Sequence, residues 1–132
     1  DVKILAVTVL TSLDRGDLDD LGFQCDVQQL VVSRAKRVLQ TGVHGVVSSG
    51  IEAEAIRREL GEKLLVVTPG IRLTGSSTDD QERITTPGTA ISTGADYIVV
   101  GRPITQADDP RLAAETFVNH IADALPPSGA LN

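Results

Sequence analysis

Two short segments place arginine beside glycine directly after an apolar run: Thr68-Pro69-Gly70-Ile71-Arg72 and Gly101-Arg102-Pro103, with Asp79-Asp80-Gln81 between them. Two guanidinium forks, one side-chain amide and exposed backbone N–H groups are the parts of a small anion site, and phosphate is the anion they suit. Pro69 fixes φ and Gly70 lets the backbone approach a ligand closely. Gly101 offers an N–H at the start of a short helix, and Gln81 can donate its amide from the far end of a polar loop long enough to be a binding loop. Thr11-Ser12 leaves the first apolar run, where a hydroxyl could meet a ligand carbonyl or ring N–H. Each feature also has a plainer reading. Thr11 or Ser12 could cap the acidic turn that follows, Arg72 could be a surface arginine on an ordinary turn, and Arg102 could pair with Asp108 or Asp109. Asp79 and Asp80 are better explained as a helix cap or as partners of Arg83.

The bulk composition narrows the ligand class. The chain has 132 residues, 41% of them apolar, enough for one domain with a core. Aromatic residues are only 2%, which removes the stacking platforms of single-strand nucleic-acid binders. The net charge is −6, so no broad polyanion surface is expected and a phosphate would be captured locally, against the overall field. Cys25 is the only cysteine. An internal disulfide is therefore impossible, and a reducing, cytoplasmic compartment is the expectation. No apolar run approaches the ~20 residues that span a bilayer, and the N-terminus lacks a signal pattern.

Four strand–helix units can be read in order. The first strand is residues 3–9, a nearly continuous apolar run of the kind buried on both faces of a parallel sheet. A short acidic turn over residues 14–21 follows, then a helix over 26–41 with apolar residues at three- and four-residue spacings, closed by Gly42. The second strand is 45–48. Ser49 and Glu52 form a capping-box pattern for a helix over 51–60. The third strand, 64–68, leads into the polar loop. Thr86-Pro87 starts a helix that Gly94 stops, the fourth strand is 97–100, and Asp109-Pro110 opens a last helix to about Ala124. Residues 1–125 read as one unit and 126–132 as a frayed tail. Strand–helix alternation of this length implies a parallel sheet with right-handed crossovers. The polar residues at the strand C-termini favour half of an eightfold barrel over a small open sheet, because barrel chemistry sits in those loops and phosphate often lies after strands seven and eight.

Other chemistries lack their residues. His44 and His120 have no cysteine or carboxylate at zinc-ligand spacing. There is no Gly-x-Ser-x-Gly elbow and no Gly-x-Gly-x-x-Gly fingerprint.

Four blocks, Ala6-Val7-Thr8-Val9-Leu10-Thr11-Ser12, Thr68 to Arg72, Asp79-Asp80-Gln81 and Asp96-Tyr97-Ile98-Val99-Val100-Gly101-Arg102-Pro103-Ile104, occur in the order and at the intervals of one family. Over about residues 3–121 the chain resembles bacterial orotidine 5′-monophosphate decarboxylase. The resemblance implies a TIM (β/α)8 barrel of which this chain holds strands five to eight, a homodimer, and cofactor-free conversion of orotidine 5′-monophosphate to UMP. It further implies that Thr11 contacts the pyrimidine, and that Arg72, Gln81, Gly101 and Arg102 hold the phosphate beneath a closing loop. The family's Asp-x-Lys-x-x-Asp motif, which supplies the lysine that protonates C6, is not found. Asp1-Val2-Lys3 imitates its first half, but Ala6 stands where the second aspartate belongs and Lys3 opens a strand at the wrong end of a barrel. Lys36 and Lys63 lie on or after outer helices. No catalytic residue is therefore expected within this chain, and its expected partners are a missing N-terminal half or a second copy. The alternatives are another phosphate-binding barrel lyase or epimerase, and a non-catalytic half-barrel that binds a nucleotide.

Overall fold

The computed structural model describes residues 1–73 and 84–127. Its elements are β1 (Leu5–Val7), α1 (Arg15–Asp20), α2 (Val27–Thr41), β2 (Gly45–Val47), α3 (Gly50–Leu60), β3 (Leu65–Thr68), α4 (Pro87–Ser92), β4 (Tyr97–Ile98), α5 (Arg102–Thr105) and α6 (Pro110–Ala124). All neighbouring strands are parallel, and the sheet order follows the chain, β1-β2-β3-β4. That order separates the two architectures left open by the sequence. A doubly wound sheet reverses direction at a switch point, whereas a barrel adds each strand beside the last.

The helices form a row on one face: α2 packs on α3, α3 on α4, and α4 on α6. Residues of the strands that face them, such as Val46 and Val66, are fully buried. Alternate residues point to the other face, where Val7 and Tyr97 are exposed at 58% and 59%. One core gathers β1 to β3 under α2 and α3 around Val31, Ile56 and Val66. A second, around Ile71, Ala90 and Phe117, lies under α4 and α6.

Most boundaries follow local chemistry. Asp26 caps α2 through a reciprocal bond pair with Gln29, Thr86 caps α4 ahead of Pro87, and Asp109 caps α6 ahead of Pro110. Three expectations need correction. The acidic turn over residues 14–21 contains a true helix, because Asp14 and Asp17 form a capping box. The capping box expected of Ser49 and Glu52 is not made: Ser49 is the N-cap of α3, but its side chain makes no cap bond. Both side chains are enclosed, at 1% and 2% exposure. The strands are also shorter than the apolar runs. At β1 the reason is visible, since His44 Nδ1 takes the Ile4 N–H and the ladder loses its regular form there.

At the N-terminal ends of β3 and β4 a single arginine ties three elements together. Arg57 on α3 donates to the carbonyls of Gly61, Leu64 and Gly94, and its Nη2 lies 2.5 Å from Asp96 Oδ2. That carboxylate oxygen also accepts the Val66 N–H at 2.8 Å. By contrast, the Lys36–Glu59 pair between α2 and α3 is solvent-exposed and contributes little. Hydrogen bonding from the ammonium, then its charge, holds the Glu59 carboxyl below the usual glutamate range.

Arg57→Met is expected to destabilise the fold by about 2–3 kcal/mol, the loss expected when charge-assisted bonds are removed and carbonyls lose their donor. The readout is the urea midpoint at constant slope. A shift no larger than that of Lys36→Met would show that Arg57 is not the tie described.

Candidate functional site

Among the described residues, all the buried polar side chains but Glu52 on α3 lie at or just beyond the C-terminal ends of the strands. Thr8, Thr11, Ser48, Ser49, Thr68 and Arg72 are all at most 9% exposed. Parallel register extends the row Ala6, Val46, Val66 to Thr8, Ser48 and Thr68, a line of hydroxyls at the rim. Polar side chains are costly to enclose and cluster where they have work to do.

Arg72 lies four residues after the end of β3, and it is 7% exposed. This removes the surface-arginine reading. Its Nη1 donates to the Ile71 carbonyl at 2.8 Å. Gly70 has φ +72°, a left-handed conformation that a side chain would strain, so glycine is required to turn the chain into the site. A parallel bridge between Ile71 and Thr85 then closes the base of the following loop: Arg72 N–H to Thr85 O is 3.0 Å, and Thr85 N–H to Gly70 O is 3.3 Å. Thr85 in turn rests on Gly50 at the start of α3, where a Cβ would fall 2.5 Å from Thr85 Cγ2.

Arg102 lies four residues after Ile98, the last residue of β4, and is exposed. Gly101 is the N-cap of the short helix α5, and its carbonyl accepts from Ile104 and Thr105. Thr68 pairs with Ile98, so Arg72 and Arg102 each follow by four residues the C-terminal ends of adjacent strands. Thr11 likewise follows the C-terminal end of β1, and it is Asp14, not Thr11 or Ser12, that caps α1. Gln81, with Asp79 and Asp80, lies outside the described residues. Sequence reasoning missed the Ile71–Thr85 bridge and the role of Gly50. Neither leaves a local signal, since each depends on residues far apart in the chain.

Sequential parallel strands, a row of helices on one face and polar residues collected at the strand C-termini define one half of a (β/α)8 barrel. The chain belongs to the orotidine 5′-phosphate decarboxylase / HUMPS family, whose model matches residues 1–117. It is 60% identical over 123 residues to orotidine 5′-phosphate decarboxylase of Methylococcus capsulatus, covering 92% of this chain and 51% of that protein. With the enzyme of Nitrobacter winogradskyi the identity is 51% over 127 residues, covering 96% and 53%. Among solved structures, orotidine 5′-phosphate decarboxylase from Lactobacillus acidophilus superposes with a TM-score of 0.73 at 36% identity, covering 90% of this chain and 49% of that one. The chain therefore spans about half the length of the curated relatives it matches.

Gly50→Ala is expected to push Thr85 outward and cost about 1–3 kcal/mol, the usual penalty of overpacking. Adding Thr85→Ser, which removes the clashing methyl, should restore most of the melting temperature. An unperturbed single variant would show that Thr85 does not rest on Gly50 as described.

Proposed function

We propose that this chain supplies the phosphate grip and a pyrimidine contact of an orotidine 5′-monophosphate decarboxylase. The observation that carries this reading is that Arg72 and Arg102 each lie four residues beyond Thr68 and Ile98, the paired last residues of adjacent strands. Arg72, Gln81, Gly101 and Arg102 would hold the phosphate, and Thr11 would meet the ring. In the reaction the bond from C6 to the carboxylate breaks, CO2 leaves, and the electron pair remaining on C6 takes up a proton to give UMP. No cofactor is needed for that balance. The proton donor comes from outside these 132 residues. Lys36 Nζ is engaged by Glu59 on the outer helices, and Lys3 and Lys63 precede β1 and β3, at the ends of the strands opposite the rim.

The phosphate is remote from the reacting carbon, so its binding energy acts by holding the ring where the chemistry occurs. Arg72 is suited to that task because burial has already fixed its position. The assembly in this reading is a homodimer of barrels, each completed by a partner half that closes against β1 and β4, and the enzyme works in the cytoplasm. Among the described residues no helix is long and apolar enough to cross a membrane.

The test is release of CO2 and UMP from orotidine 5′-monophosphate by the full-length gene product. Arg102→Ala is expected to weaken UMP binding by about 10- to 100-fold, the worth of a charged hydrogen-bonded pair, while leaving uridine binding unchanged. Equal loss of UMP and uridine would refute the phosphate assignment.

A further inference from the structure

We propose that Arg34 is a positioning residue for the pyrimidine contact, gripping with one guanidinium both ends of the segment that carries Thr11. This rests on the reading of Thr11 given above.

The segment leaves the sheet at Thr8, whose N–H and Oγ1 both donate to the Val47 carbonyl, at 3.3 and 2.9 Å. It turns at Leu10–Leu13 through a 3.0 Å backbone bond, runs through α1, and returns at Phe23, whose N–H reaches the Leu18 carbonyl at 2.9 Å. Arg34 lies outside this segment, in α2, and touches both its ends. Its Nη1 donates to the Thr8 carbonyl at 2.5 Å. Its guanidinium carbon lies 5.4 Å from the centroid of the Phe23 ring, the geometry of a cation–π contact.

Arg34 adds a directional hold to the apolar contacts of the segment and to the Thr8–Val47 bonds. Leu18 is buried in the core, and Leu13 and Phe23 pack against it. Such contacts hold the segment down but are non-directional and tolerate sliding. The guanidinium bond to Thr8 is directional, and it acts three residues before Thr11. The stack on Phe23 fixes the return of the same segment against the same side chain. Pinning entry and exit to one rigid fork removes the freedom of the turn between them to shift along the rim. In a proposed site where Arg72 and Arg102 hold the phosphate, that shift would alter contact with the ring and leave the phosphate grip untouched.

The consequence is selective, and it can be measured on the full-length gene product as the ratio of affinities for UMP and ribose 5-phosphate. Arg34→Met is expected to weaken UMP by about tenfold, as misplacement of a contact group does, with ribose 5-phosphate changed less than about twofold. Arg34→Lys, which can still reach the Thr8 carbonyl but loses the planar stack, should fall between, and Phe23→Leu should move the ratio the same way. Both ligands are measured on the same preparation, so partial unfolding cancels from the ratio. Equal weakening of the two ligands, or an unchanged ratio, overturns the proposal. A wild-type protein that does not prefer UMP over ribose 5-phosphate overturns the assignment of Thr11 itself, and with it the role given to Arg34.

Discussion

The register between β3 and β4 is the constraint on which the rim depends. Val67 stands opposite Tyr97 and Thr68 opposite Ile98, so arginines four residues beyond Thr68 and Ile98 arrive at the same edge. A slip of one residue would exchange the faces of a strand and shift where its following loop begins. The two ends of the pair are held in different ways. At the start, the Asp96 N–H meets the Val66 carbonyl at 2.9 Å, and its carboxylate takes both the Val66 N–H and the Arg57 guanidinium. At the finish, Val99 N–H meets the Thr68 carbonyl at 2.9 Å. With only two residues, β4 is too short for its ladder alone to set register. The latch at one end therefore decides the geometry at the other.

That division explains which parts of the fold were legible in the sequence. Helices with caps and stops written beside them, such as Thr86-Pro87 before α4 and Asp109-Pro110 before α6, lie where local chemistry puts them. So do the four strands, whose apolar runs leave few alternatives. Ser49 and Glu52 show the limit of such reading. Their spacing fits a capping box, but the fold encloses both, and a motif defined by spacing carries no information about burial. Arg57, Arg34 and the Ile71–Thr85 bridge were invisible for a related reason. Their partners lie between 4 and 39 residues away in sequence, and an arginine in a helix looks the same whether it ends in solvent or on a buried carbonyl. That Arg72 and Arg102 come shortly after the ends of adjacent strands could be anticipated, because each lies soon after an apolar run. What holds them there could not.

Charge sets a second condition on the proposed site. The chain carries a net charge of −6, so its long-range field repels a phosphate. That field is screened over about 8–10 Å in physiological salt, whereas contacts inside a partly enclosed rim are not. Capture must then rest on short-range donors, and the two arginines differ in how they meet this need. Arg72 is buried and already bonded to the Ile71 carbonyl, a fixed wall that loses little entropy when an anion binds. Arg102 is exposed at the start of α5. In the proposed site one arginine sets the position and the other meets the ligand from solvent.

The same economy extends to the chemistry. A grip that is far from the reacting bond accelerates a reaction only if the protein between the two is stiff, because slack dissipates binding energy as motion. Along β3 that stiffness is supplied by Ile71 and Thr68, both fully buried, and by the bridge that returns from Thr85 onto Gly50. On the far side of the rim β1 is an edge strand of this sheet, with β2 as its only partner here. An edge strand lacks the second ladder that would steady it, and it is there that Arg34 takes hold of the Thr8 carbonyl. The three arginines thus act on one problem from different places. Arg57 fixes the strands that lead to the proposed phosphate grip, Arg72 would form its wall, and Arg34 steadies the segment that carries the proposed ring contact.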